Sequence, residues 1–187
     1  SDWSSDVCSS DLPKYTYRRK VRKMEIGEFV HYSTKGICQV NDIERLKFSG
    51  EEKDYYILVP VFDKNSKYYV PTDYDPEKVK IRSAIEASDA EELIAFAKDC
   101  EPFEWLGNVN ERKAKSEEII KSSDHHRIIR LIKTLRCHEE EQKQAGKKMY
   151  LSDTKLLKNA LHIISDEVAF VKGEDPKTVE AYFQFAV

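Results

Sequence analysis

No stretch of this chain approaches the ~20 consecutive apolar residues that span a bilayer, and no basic start with a long apolar centre marks a secretory signal. Cysteine is scarce. Cys8, Cys38, Cys100 and Cys137 stand far apart and form no CxxC. That argues against a disulfide framework and against zinc held by paired thiols, and the expectation is a reduced, cytosolic protein. There is neither a GxGxxG nor a P-loop to cradle phosphates. Histidine does not fill the gap: His125 and His126 are neighbours, about 100° apart on a helix, as are Cys137 and His138. No metal and no cofactor is expected. A surplus of positive charge is also missing. The net of -3 over 187 residues argues against a uniformly basic nucleic-acid coat and leaves local patches open.

What is there is 40% hydrophobic and 35% charged, enough apolar material for a core in one or two small domains. Residues 1–23 stand apart. "SDWSSDVCSSDL" has neither helical nor strand period, and the segment is expected to be a non-native or disordered leader with Met24 opening the fold. From 24 to 82 the signals are β: "EFVHY", "GICQVNDIERL", "YYILVPVF", "KYYVP" and "VKIR", separated by the polar turns "SGEEKD" and "DKNS". Pro60 places an edge or bend in the third run. Such strands predict a small, strongly bent sheet or barrel.

Beyond a hinge at Ser83–Ala87 the period becomes helical. Ser88 and Glu91 have capping-box spacing, Ser152 is positioned as an N-cap, and Asp175-Pro176 opens a last helix that Gly173 precedes as a C-cap. The fold class is therefore α+β, with a β module at 24–82 and a compact all-α domain at 88–187. Charge divides as well. Residues 108–158 hold thirteen Lys/Arg against eight Asp/Glu, a basic middle that the acidic total hides.

Catalysis is not expected. A thiol nucleophile would need Cys38 beside His31, but "FVHYSTKGICQV" is better explained as two strands and a turn, with Cys38 a core thiol and His31 an exposed edge residue. The basic middle is more informative. Ile128, Leu131, Ile132 and Leu135 share one arc of a helix, and Arg127, Arg130 and Lys133 the other. With Arg112, Lys113, Lys147, Lys148 and Lys155 they could form a positive face for phosphates, or an ordinary solvated surface. Trp105, in the connector "FEWLGN", is either a core cap or a wedge that stacks on bases.

"IGEFVHYSTKGICQVNDI", "KDYYILVPV" and "YYVPTD", followed by "EWLGNVNERKAKSEEIIKSSD", "IIRLIKTLR" and "EEEQKQAGKKMYLSDTKLLKNA", resemble the CarD/CdnL family of bacterial transcription regulators from Met24 to the end of the chain. The resemblance implies a Tudor-like (SH3-like) β module that docks on the RNA polymerase β subunit. It also implies a helical domain that contacts promoter DNA at the upstream edge of the bubble and supports the open complex. It implies no enzyme activity, no membrane contact, and a cytoplasmic, nucleoid-associated monomer. Arg45, Lys47, Tyr68 and Tyr69 would face the polymerase, although an arginine used by some members falls opposite Leu46 or Tyr69. Trp105, Arg112, Lys113, Arg127, Arg130, Lys147, Lys148 and Lys155 would face DNA. The alternative is a β-barrel adaptor whose helices are purely structural and touch no DNA.

Overall fold

The computed structural model describes residues 21–185, so most of the expected leader, residues 1–20, lies outside the described residues. Val21 packs on the β core and Arg22 donates to Glu28 and to Ser83 Oγ, so the packed chain begins before Met24.

Five antiparallel strands form one sheet: β1 (Phe29–Tyr32), β2 (Gly36–Phe48), β3 (Glu51–Pro60), β4 (Tyr68–Pro71) and β5 (Ile81–Ser83). Their order is β4-β3-β2-β1-β5. The sheet is curled: Tyr32 on β1 and Tyr68 on β4, three places apart in that order, bring their rings to 5.8 Å. Val30, Cys38, Val40, Tyr56, Leu58 and Val70 fill the concave side. The β2–β3 hairpin is longer than the sequence suggests. "EEKD" is strand, not turn, and only Ser49-Gly50 turns the chain, both with positive φ (52° and 91°) as a two-residue type I′ connection requires. Charged residues are tolerated there because the arm projects into solvent beyond a bulge between Val40 and Asp42.

The helical half comprises α1 (Ala87–Asp99), α2 (Val109–Ser122), α3 (His125–Gln144), α4 (Leu151–Lys172) and the short α5 (Pro176–Glu180). The expected α+β order holds. Two expected caps do not. The capping box of α1 is Glu86 with Asp89, since the helix starts one residue before Ser88, and α4 starts at Leu151 after Tyr150 with no side-chain cap, leaving Ser152 inside the first turn. Gly173, Asp175 and Pro176 act as expected. Ile128, Ile129, Ile132 and Leu135 of α3 pack with Leu157, Ala160, Ile163 and Ile164 of α4 in one core. Among the described residues no helix is long and apolar enough to cross a membrane.

The 22-residue α4, about 33 Å long at 1.5 Å per residue, also packs on the convex face of the sheet. The alternation of β1 sends Val30 and Tyr32 inward, and Phe29 and His31 outward. Phe29 meets Phe170 at 4.7 Å between ring centroids. His31 is buried, which corrects the expectation of an exposed edge histidine: α4 covers the outward face of β1 at this position. Its neighbour is Glu167, itself 0% exposed. Arg82 of β5 binds both Glu167 oxygens, at 2.6 and 2.7 Å. The Ile85 backbone N–H donates to Oε1 at 3.0 Å, and His125 Nε2 of α3 lies 2.7 Å from Oε2. That nitrogen is also 2.8 Å from Arg82 Nη2, so it can donate to the carboxylate or accept from the guanidinium, not both. His31 Nε2 completes the cluster at 3.8 Å. Burial alone would push the Glu167 carboxyl up; the hydrogen bonds from Arg82 and His125 outweigh it and hold the group well below the usual carboxylate range.

Two neighbours titrate against each other. Burial lowers His31 to about 4, so the unfolded chain binds a proton near pH 6.5 that the folded chain refuses, and stability falls as pH drops from 6.5 to 4. Burial raises Asp166 to about 6, so its contribution is complete below its ordinary 3.8 and is lost as pH rises through 6. Between pH 4 and 6 the slopes oppose. Asp166→Asn should unmask His31: the unfolding free energy of the variant, from urea titrations, should fall by on the order of 3 kcal/mol between pH 6.5 and 4, where the unmodified protein changes much less. Parallel curves for the two proteins would refute this opposition.

Candidate functional site

The expected docking residues on the β module do not form one patch. Tyr69 on outer strand β4 is 46% exposed, and its ring meets Phe48 at 5.7 Å; Phe48 meets Tyr55 at 5.0 Å. Tyr68 turns the other way, against Tyr32 and beneath Lys35 Nζ at 5.2 Å, and burial raises its hydroxyl pKa. Arg45 and Lys47 project from the hairpin arm on the side opposite Leu46 and Phe48, since successive strand residues alternate. Arg45 lies 3.7 Å from Glu52 across the hairpin. The exposed surface is therefore aromatic, Phe48–Tyr55–Tyr69, with the two cations on the reverse. Phe48 escaped sequence reasoning because the turn that exposes it was placed over strand residues.

In the helical half, the connector between α1 and α2 carries Trp105. Asn108 ends the connector as the α2 N-cap, its side chain accepting from the backbone N–H groups of Asn110 and Glu111. Trp105 is half-buried on the helical core, which corrects neither of its two readings outright. Its indole stacks on His138 of α3 at 3.6 Å and 17°, and the Arg112 guanidinium of α2 lies over it at 4.3 Å. Two flat groups at those distances do not fit on one side of an indole, so both faces are covered. One wall of the ring borders a cavity of about 240 Å³ formed with Phe103, Leu106, Ile119, Leu131 and Leu135.

Arg112 is not a surface cation. It is buried, binds both oxygens of Asp153 on α4 (3.0 and 2.7 Å), and donates to the Leu106 carbonyl at 2.6 Å. Its expected place at DNA is corrected on that ground: its charge is matched inside the fold. Part of the α3 stripe is likewise engaged. Arg130 stacks on Phe103 at 4.1 Å and donates to the Glu101 carbonyl, Lys133 donates to the Cys100 carbonyl, and Arg127 pairs with Glu118 at 3.2 Å. Arg130 and Lys133 clamp the connector onto α3 and Arg127 ties α2 to it, all keeping part of their surface in water.

The free positive charge lies elsewhere. Lys113, Lys147, Lys148 and Lys155 are exposed, and among the described residues none of them has an ion-pair partner. Lys147 and Lys148 line an open groove of about 510 Å³ with Lys143, Glu139, Met149, Leu151 and Thr154. The segment between α3 and α4 is ordered by backbone bonds at its two ends: Lys147 N–H donates to the Gln142 carbonyl at 2.8 Å and Thr154 N–H to the Tyr150 carbonyl at 3.0 Å.

Cys38 and His31 cannot work as a pair. Cys38 is opposite Val30 in the ladder and faces the concave core, while His31, opposite Ile37, faces α4. Burial, with the nearby Asp166 carboxylate, pushes the thiol up to about 12, so it stays protonated. Among the described residues no group of three or more His, Cys, Asp or Glu side chains is placed to hold a metal ion.

Residues 24–83 match the family model described as the CarD-like/TRCF RID domain, and residues 99–184 match that of the CarD C-terminal domain. No curated protein matches the chain.

The Trp105–Arg112–Asp153 arrangement predicts that Asp153→Ala, which strands a buried guanidinium, destabilises the protein by about 3–5 kcal/mol and shifts the tryptophan emission as Arg112 leaves the ring. A loss below about 1 kcal/mol would mean that the pair behaves as a solvated one.

Proposed function

The chain belongs to the CarD family of RNA-polymerase-interacting transcription regulators, and from that premise we propose that it joins the polymerase β subunit to promoter DNA at the upstream edge of the bubble and stabilises the open complex. The β module is the polymerase end. Outer strand β4 offers unpaired backbone groups for strand addition, with Tyr69 and Phe48 as aromatic anchors. Arg45 and Lys47 supply charge from the reverse of the arm, and Tyr68 supports Tyr69 from within. The helical half is the DNA end: Lys113, Lys147, Lys148 and Lys155 are the phosphate contacts, Arg127 and Arg130 add charge from the opposite end of α3, and Trp105 with Arg112 shapes the surface. The protein acts as a monomer in the cytoplasm, at the nucleoid, and without catalysis.

The observation that carries this reading is the presence of two chemically unlike surfaces, an aromatic strand edge and a set of unpaired lysines, on opposite modules of one family pair. Such a molecule shifts the promoter equilibrium only by binding the melted state more tightly than the closed one; about 1.4 kcal/mol of difference gives a tenfold shift.

The test uses the full chain. Tyr69→Ala should reduce co-purified polymerase β subunit about tenfold, as for an aromatic anchor worth about 1.4 kcal/mol, with DNA binding unchanged. Lys147→Ala/Lys148→Ala should do the reverse, making the slope of log affinity against log salt shallower by about 2. Polymerase capture with no DNA binding by the unmodified chain would replace this reading with a protein adaptor.

A further inference from the structure

The cavity beside Trp105 holds one polar group that the fold does not use. Its floor is apolar: Ile119 of α2 and Leu131 and Leu135 of α3 are all buried. Most of its polar groups are engaged. Thr134 Oγ1 accepts from the Phe103 N–H at 2.8 Å and donates to the Arg130 carbonyl at 2.7 Å. Arg112 is held by Asp153 and by the carbonyls of Leu106 and Gly107. On the solvent side, Lys115 and Arg127 share Glu118, each at 3.2 Å. Ser116 of α2 is the exception. It is 2% exposed and lines the cavity, and among the described residues its hydroxyl makes no hydrogen bond. A helical hydroxyl can always bond back to the carbonyl four residues earlier, as Thr134 and Thr154 do here. That of Ser116 stays free beside the cavity, and a buried polar group without a partner calls for an explanation.

Size, shape and charge narrow what could answer that hydroxyl. At about 240 Å³ the cavity exceeds the apolar void of about 150 Å³ that takes up benzene. It falls short of the roughly 300–1,000 Å³ that hold drug-sized molecules. It therefore fits one ring with a small substituent and excludes a nucleotide. Trp105 favours an aromatic ring. With His138 and Arg112 over its faces, the indole borders the cavity with its edge, and the positive edge of one ring suits the negative face of another. The charges favour a neutral molecule. Lys115 and Arg127 are opposed by Glu118, and Glu104 also lines the cavity, so a ligand carboxylate would leave water without a free cation to receive it. We infer that this cavity is a binding site for a small neutral phenol, its ring on Ile119, Leu131 and Leu135 against the Trp105 edge and its hydroxyl bonded to Ser116 Oγ. The inference goes beyond the proposed function and does not rest on it. Phe103, Trp105 and Leu106 belong to the α1–α2 connector, so an occupant ties that connector to α2 and α3 and stabilises the fold by mass action.

The test titrates 4-fluorophenol into the full chain and follows its fluorine NMR signal. Binding should saturate at one site with a Kd below about 1 mM, raise the melting temperature, and give a cross-relaxation contact between the probe and the Trp105 indole. Ser116→Ala should melt at or above the temperature of the unmodified protein, since it loses only an unpartnered hydroxyl. It should bind the probe about fivefold more weakly, the worth of one neutral hydrogen bond. Benzoate, which is charged, and cyclohexanol, which has no aromatic face, should both bind several-fold more weakly than the phenol. A signal that does not saturate, or one without contact to Trp105, would overturn the site. Equal probe affinity in Ser116→Ala would overturn the part given to its hydroxyl, and equal affinity for benzoate or cyclohexanol would overturn the ligand class. None of these outcomes touches polymerase or DNA binding, so the proposed function stands or falls separately.

Discussion

Everything in this structure is placed with respect to one buried charge. Glu167 has no access to water, and an isolated carboxylate there would be untenable. It is satisfied only because β5 delivers Arg82, α3 delivers His125 and the inter-module segment delivers the Ile85 N–H, all to two oxygen atoms. These donors come from both sequence halves, so the carboxylate is satisfied in one relative pose and not in a rotated one. Apolar contacts such as Phe29–Phe170 add area to the same joint but would tolerate sliding. A buried, multiply bonded ion is a poor way to gain stability and an effective way to specify geometry.

The same economy governs the positive charge. Arginines do the internal work here: Arg82 binds Glu167, Arg112 binds Asp153, and Arg130 lies flat on Phe103. A planar guanidinium gives two parallel bonds and a stacking face, which suits confined sites. The lysines at 113, 147, 148 and 155 remain outside. Hydrated ammonium groups on flexible stems suit phosphate oxygens, whose positions along a backbone vary. The basic middle of the sequence is thus two populations with different surroundings, and a count of charges cannot separate them.

Local patterns in the sequence revealed the elements. Periodicity placed the strands and the switch to a helical half near their observed positions, and Asp175-Pro176 and Gly173 marked helix ends through backbone chemistry that acts within a few residues. What escaped depends on partners far along the chain. His31 reads as an edge residue until α4, more than a hundred positions later, covers it. Arg112 reads as a phosphate contact until Asp153 is known to face it. The aromatic cluster of Phe48, Tyr55 and Tyr69 spans three strands, and its register follows from a two-residue turn hidden in a longer polar run. One clue was local: Asp166 and Glu167 are the only acids from Leu161 to Val171 of α4, a mostly apolar stretch, and a buried carboxylate there requires a cation from elsewhere.

A fixed pose has a consequence for weak contacts. If the β module is held on the polymerase, the junction of α3 and α4 is not free to search; it is carried to one region of space by the joint at Glu167. A second contact made from a tethered position acts at a high effective concentration, so it need not be strong in solution to be occupied in the complex. That favours a small second surface over an extensive one. It also makes the contact conditional. On the function proposed above, a surface that DNA reaches only after melting would favour the melted state and leave the closed one unaffected.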